Sequence, residues 1–285
     1  MTKFSSNWLQ EREPIDNRSR SGKIIQNLSQ ILNHQPLKII DLATGTGANL
    51  RYLCDQIKGH QIWTLIDHDE ALLKEIPSKT QQWAIKKNVF IEEKNNEIKI
   101  KNNEHEYQIN IEQQDLSDLK RIYFPKKSLI TSSALLDLVS FDWLKTLAMK
   151  CSNSESIILF SLNYDGYIDF KPYEPEDEYV RALINKHQTT NKGFGKAMGP
   201  NACHQAIQIF KKAGYNVQSS RSDWKIYQND KNLQKLLIDT WLKAAIEIAP
   251  NEMEKLQDWG KRRLSHIVLE HSKLTVGHID LLGWL

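Results

Sequence analysis

Residues 37–50 constrain this chain more than any other stretch. Leu37-Lys38-Ile39-Ile40-Asp41-Leu42 reads as a buried strand and Ala43-Thr44-Gly45-Thr46-Gly47 as a glycine turn. Ala48-Asn49-Leu50, with Leu53 and Ile57 beyond, begins a helix. Gly45 and Gly47 can reach backbone angles closed to other residues, and they let the main chain approach a ligand that a Cβ would push away. A strand, a tight turn and a helix in that order suit a nucleotide-like molecule.

The alternation continues along the chain. Gln61 to Ile66 is a second strand ending at Asp67, and Asp69 is placed to N-cap a helix containing Leu72, Leu73 and Ile76. Further strands are expected at 107–111, 127–132, 156–163 and 215–220, helices at 141–152 and 200–213, and a final strand over the apolar stretch Leu274 to Leu282. That pattern predicts an α/β protein with a mostly parallel, seven-stranded sheet and helices on both faces. Ile24, Ile25, Leu28, Ile31 and Leu32 predict a leading helix from about 18 to 33, ended by Pro36. A polar insertion at 88–111 is expected to turn a hairpin at Asn95-Asn96. One domain, 1–285, accommodates all of this: an N-terminal lid and helix (1–35), a ligand-binding core (36–163), a cap from 164–201 and 223–271, and the last strand (274–285).

Composition narrows the class. The 285 residues carry a net charge of +3, and no apolar run approaches the roughly 18 residues of a membrane span. The N-terminus has no basic start followed by an apolar core, so a cytoplasmic protein is expected. Cys54, Cys151 and Cys203 lie far apart, without the paired spacing of a zinc or dithiol site, and read as reduced and structural. Lysines and glutamates mix in the 86–106 region, and Lys261-Arg262-Arg263 reads as an exposed, solubilising triplet rather than a nucleic-acid contact.

The turn also excludes alternatives. A dinucleotide fingerprint starting at Gly45 would need glycine or alanine where Leu50 stands, and no P-loop lysine follows the glycines. Asp41 followed by Gly45 and Gly47 at the strand's carboxyl edge resembles the first motif of class I S-adenosylmethionine-dependent methyltransferases, with Ala43 where that pattern usually has its first glycine. The resemblance implies a Rossmann-like fold and S-adenosyl-L-methionine as cofactor, held by the segment containing Asp41, Ala43, Gly45, Gly47 and Asn49. Asp67, twenty residues beyond Gly47, ends its strand where a carboxylate can accept both ribose hydroxyls. His68 either flanks the adenine or is a turn histidine. Asp115, beside Leu116, either takes the adenine amino group or N-caps a helix. Ser133 belongs to the segment that, in related enzymes, lines the methionine end. Arg20, in preference to Arg18, is a candidate partner for the cofactor's carboxylate.

On the acceptor side, Asp137 and His187 are candidate general bases and Tyr164 a further catalytic candidate. Tyr173, Lys192, Phe194 and Lys196 fall in the excursion after the fifth strand, where relatives vary to admit different acceptors. Three segments, Trp8-Leu9…Arg12-Glu13-Pro14…Asp16, Gly193-Phe194-Gly195…Gly199-Pro200 and Leu274 to Leu282, resemble a bacterial group of methyltransferases over nearly the whole chain. The expectation is in-line methyl transfer to a small molecule, with no metal required. An RNA methyltransferase and a non-catalytic cofactor-binding or scaffolding protein are the alternatives.

Overall fold

The computed structural model describes residues 4–32, 36–94, 97–101 and 106–285. Apolar residues alternate along the central strands, and each strand therefore contributes to a core on both sides. In β1 (Leu37–Leu42), Leu37 and Ile39 join one cluster while Ile40 and Leu42 join another. Helices α2 (Gly22–Ile31), α3 (Ala48–Gln56) and α5 (Ile76–Lys86) cover the first face through Leu28, Leu53 and Ile76. The second face is covered by α6 (Phe141–Asn153) and α8 (Ala202–Lys212), through Leu144, Leu147 and Phe210. The predicted two-sided α/β architecture is thus present.

Five strands run parallel in the order β5 (Glu106–Gln113), β2 (His60–Asp67), β1, β6 (Leu129–Ser133), β7 (Ile157–Lys171). Then β10 (Lys273–Trp284) inserts antiparallel between β7 and β8 (Asn216–Arg221). These are the seven expected strands. The sheet has ten, because β3 (Phe90–Lys94) and β4 (Glu97–Lys101) extend it antiparallel beyond β5, and β9 (Trp224–Ile226) pairs with β10. The predicted hairpin supplies two of the extra three; its expected turn at Asn95-Asn96 lies outside the described residues. Dinucleotide-binding sheets run 3-2-1-4-5-6, all parallel, and the inserted β10 departs from that order.

The N-terminal expectation needs correcting. Instead of one helix from about 18, α1 (Ser6–Ser19) precedes α2, and the chain breaks at Arg20 and Ser21. Ser5 and Ser21 accept hydrogen bonds from the N–H groups of Trp8 and Ile24, giving each helix its own N-cap. The helix expected across Leu72 to Ile76 is likewise divided into α4 (Glu70–Leu73), capped by Asp69 as predicted, and α5.

A third core lies beyond the sheet's carboxyl edge. There Ile15 of α1 meets α7 (Asp177–Gln188), α9 (Lys231–Ile248) and α10 (Met253–Val268) around Phe170, Trp241 and Trp259. The basic triplet is not the exposed cluster expected: Arg263 is fully buried against Asp177 and the Pro172 carbonyl, and Arg262 pairs with Glu174 and Glu176. All three cysteines are buried and free. Among the described residues no helix is long and apolar enough to cross a membrane.

Asp280 joins the layers. Its buried carboxylate accepts the N–H of Leu162 at 2.8 Å, where β7 turns through a left-handed residue, and the N–H of Ser21 at 2.9 Å. Asp280→Ala would orphan two buried donors, and urea unfolding should show a loss of about 2–5 kcal/mol. Asp280→Asn, which keeps one acceptor oxygen, should lose less.

Candidate functional site

At the carboxyl end of β1 the chain reverses through three left-handed residues, Ala43, Gly45 and Gly47. The turn therefore keeps its shape with alanine in the first position, at a cost of about 1–2 kcal/mol for the Cβ. The side chain of Leu9, on α1, lies only 3.1 Å from where a Cβ on Gly45 would stand, and Gly47 is similarly crowded by Arg51 and Ile76. Behind the turn, Asp41 is fully buried and accepts hydrogen bonds from Thr44 Oγ1 and Asn49 Nδ2, both at 2.6 Å. Burial raises its pKa to about 6, against the lowering effect of those two donors. Asn49 in turn accepts from Arg20 Nη1 at 2.6 Å, and the Arg20 guanidinium sits 4.4 Å from the Tyr52 ring centroid. Arg20 is buried, makes no ion pair among the described residues, and its Nε has no acceptor.

Two cavities open beyond this turn. The smaller, about 90 Å³, is lined by Ala43, Gly45, Asp67, His68, Leu116, Ser133 and Phe194, with Leu9 closing it. Asp67 is buried at the end of β2. Its carboxylate accepts the N–H of Gly45 at 2.8 Å and of Asp69 at 3.0 Å, and His68 Nδ1 lies 3.2 Å away. A carboxylate offers about four lone-pair positions, so acceptor capacity remains.

The larger cavity, about 530 Å³, lies between the sheet edge and α1, α7 and α9. Phe4, Arg12, Ala134, Leu138 and Lys192 line both, so the two spaces adjoin. Asp137 stands in the single helical turn 136–138 after β6 and lines the larger one. It is buried, its Oδ1 has no hydrogen-bond partner, and burial raises its pKa to about 6 despite favourable backbone N–H groups and the charges of Arg12 and Lys192. Tyr164 donates to Asn185 Oδ1 at 2.7 Å, and burial pushes its phenol pKa up.

His187 is placed differently from a free base. Its Nε2 lies 3.0 Å from Glu247 Oε2 and its Nδ1 3.2 Å from Lys192 Nζ. The carboxylate can only accept, so Nε2 carries the proton; Lys192 Nζ lies 3.4 Å from Nε2 as well, which places it against the ring and not along the Nδ1 lone pair. Nε2 is held by Glu247 and Lys192 packs against the ring, so the three side chains form one cluster, in which burial lowers the pKa of Lys192.

Other expected residues fall outside. Tyr173 and Lys196 are exposed and line neither cavity; Lys196 sits in a small antiparallel bridge with Asn191. Asp115 is exposed and accepts the Ser117 N–H at 2.8 Å within a turn; the N-cap of the helical turn that follows is Asp118, not Asp115. Phe194, expected against the acceptor, packs at 5.5 Å on Trp143 beside the smaller cavity. Arg20, Asp41, Gly47 and Asn49 form a layer behind the smaller cavity rather than its lining.

Four residues were not anticipated: Arg12, Trp224, Trp241 and His278. Arg12 lines both cavities. It bonds Asp16 at 2.8 Å and lies over the Trp224 ring at 5.2 Å. His278 is buried 4.7 Å from the Trp224 ring centroid. Its Nδ1 is 3.0 Å from the Val276 carbonyl, which only accepts, so the proton is on Nδ1. Burial lowers its pKa to about 3, keeping it neutral. The signal was the alternation Leu274, Val276, His278, Asp280, which puts two polar residues on the apolar side of a strand.

No family model and no curated protein matches the sequence. Among solved structures the chain is similar to the cyclopropane synthase MmaA2 from Mycobacterium tuberculosis, with a TM-score of 0.48 and 10% identity over 98% of this chain and 94% of that one. It is also similar to S-adenosylmethionine-dependent methyltransferases in complex with S-adenosyl-L-homocysteine. The one from Thiobacillus denitrificans has a TM-score of 0.45 and 13% identity, covering 99% of each chain. The one from Geobacter sulfurreducens has a TM-score of 0.44 and 13% identity, covering 95% and 97%. Likenesses this distant assign no role to any residue.

Because burial favours protonated Asp137, the folded protein binds that proton more tightly than the unfolded chain between about pH 4 and pH 6. Its contribution to stability therefore falls as pH rises through that window. Asp137→Asn should make the protein more stable at pH 8, by at most about 3 kcal/mol, and flatten this part of the pH profile. Thermal unfolding at several pH values checks it. Lower stability of the variant at pH 8 would contradict the assignment.

Proposed function

We propose that this protein is an S-adenosyl-L-methionine-dependent methyltransferase acting on a small molecule. The observation that carries the reading is the pair of adjoining cavities. One is bounded by the left-handed turn and a buried strand-end carboxylate, and the other by a buried carboxylate with a free oxygen. A donor and an acceptor that must meet in line require such an arrangement.

The residues fit the cofactor in kind. Asp67 would receive the ribose, Leu116 and His68 the adenine, and Ser133 with Ala134 the sulfur end. Arg20, buried without an anionic partner, suits the cofactor's carboxylate, although it stands behind the cavity wall. In volume, about 90 Å³ is less than ligand pockets usually offer, and Leu9 of α1 lies in its wall close against Gly45. Admission therefore requires α1 to lift. That helix is held by polar contacts, Glu13 to Arg51 at 2.8 and 2.9 Å, Ser6 to Glu75 and Arg18 to Asp230, and by Ile15 and Trp8 in the apolar core beyond the sheet edge.

When bound, the cofactor supplies an electrophilic methyl group on a sulfonium. Asp137, at the boundary of the larger cavity, would take the acceptor's proton, and Lys192 would offset negative charge left behind. Burial of Arg263 against Asp177 and pairing of Arg262 with Glu174 and Glu176 leave Lys261 as the one strongly exposed member of the basic triplet, which favours the small-molecule reading over an RNA surface.

S-adenosylhomocysteine should raise the melting temperature and NAD should not, since only a ligand of the folded state stabilises it. Asp67→Ala should weaken that binding by about 1–3 kcal/mol in calorimetry. Stabilisation by NAD alone would overturn the proposal.

A further inference from the structure

Among the described residues, two hydrogen-bond acceptors of the larger cavity have no donor, and one donor there, the Trp8 indole N–H, has no acceptor. One acceptor is Asp137 Oδ1, buried and unpartnered. The other is Nε2 of His278: because Nδ1 carries the proton toward the Val276 carbonyl, Nε2 presents a bare lone pair, and no hydrogen bond to it is found among the described residues. Tyr164 links the two. Its backbone N–H favours the ionised Asp137, and its ring stands 6.2 Å from the His278 ring. Buried acceptors without donors are costly, so a ligand that fits here brings at least two donors of its own.

The surrounding chemistry narrows the ligand further. Trp8, Trp224 and Trp241 line the chamber with Tyr164, giving flat apolar walls. A cationic amine is disfavoured, because Arg12 already lies over the Trp224 face and the Lys192 ammonium stands nearby. Lys192 touches His187 but makes no ion pair with a carboxylate among the described residues, so its charge is available to an oxygen that is losing a proton.

Resting on the methyl-transfer reading above, we propose that the acceptor is a neutral hydroxylated aromatic molecule, held by one donor to Asp137 and a second to His278. The hydroxyl proton passes to the Asp137 carboxylate. The oxygen's electron pair forms the new bond to the methyl carbon, and the C–S pair of the donor stays on sulfur. Lys192 stabilises the oxygen as the proton leaves. His278 is a specificity-determining residue: neutral and held by Nδ1, it selects a second hydroxyl or N–H and takes no proton.

The test uses the full chain saturated with S-adenosylhomocysteine and three probes: 2,3-dihydroxynaphthalene, its dimethyl ether and 1-naphthylmethylamine. Binding is read by tryptophan fluorescence. The diol should bind at least tenfold tighter than the ether or the amine, and His278→Phe should abolish most of its advantage over the ether while leaving the thermal shift by S-adenosylhomocysteine intact. With S-adenosylmethionine, mass spectrometry should find the diol's monomethyl ether. Equal binding of the three probes, preference for the amine, or an unchanged preference in His278→Phe would overturn the acceptor class. If the variant does not fold, the comparison of probes on the unaltered protein decides. A thermal shift by S-adenosylhomocysteine alongside failure of the diol leaves methyl transfer standing; absence of that shift removes the parent reading.

Discussion

The Asp41 carboxylate is the joint on which the site depends. It belongs to the central strand, yet its two oxygens hold Thr44 of the turn and Asn49 of the following helix, and through Asn49 it reaches Arg20 between the first two helices. A buried carboxylate with a hydrogen bond to each oxygen fixes backbone geometry as well as charge. It explains why the turn tolerates Ala43 in a left-handed conformation: the residues on either side are already committed by hydrogen bonds that a relaxed turn would break.

From that joint the α1 helix follows as the shared wall of the two cavities. Leu9 faces the glycine turn, Arg12 faces both cavities, and Trp8 faces the chamber. One rigid-body movement of α1 would thus open both at once. Its contacts divide between core and cap, with Glu13 on Arg51 on one side and Asp16 on Trp224 at 3.0 Å on the other. Its apolar contacts are Ile15, fully buried, and Trp8, both against the core formed with α7, α9 and α10, and Leu9 against the glycine turn.

Much of this was legible in the sequence. The seven strands and their helices follow from period-2 and period-3.6 apolar spacing, and Asp41, Gly45 and Asp67 follow from where strands end. What sequence could not show is which polar groups the tertiary fold brings together. His187 looked free because Glu247 lies sixty residues away and supplies its partner only when α7 meets α9. Arg263 looked exposed because its neighbours in the chain are charged, whereas α10 turns it into a core against Asp177. Tyr173 and Lys196 sit in the right segment but on its outer surface, a distinction carried by backbone direction and not by composition. His278 was readable, through alternation along β10, and marks how a polar residue on an apolar strand face can reveal a site.

A crystal structure with S-adenosylhomocysteine tests the central claim most directly, that donor and acceptor meet beneath α1. The account predicts ligand density against Gly45 and Asp67, Leu9 displaced from the turn, and the thioether facing the chamber that holds Asp137 and Lys192. Density confined to the larger cavity, or a ligand whose sulfur points away from Asp137, would contradict it.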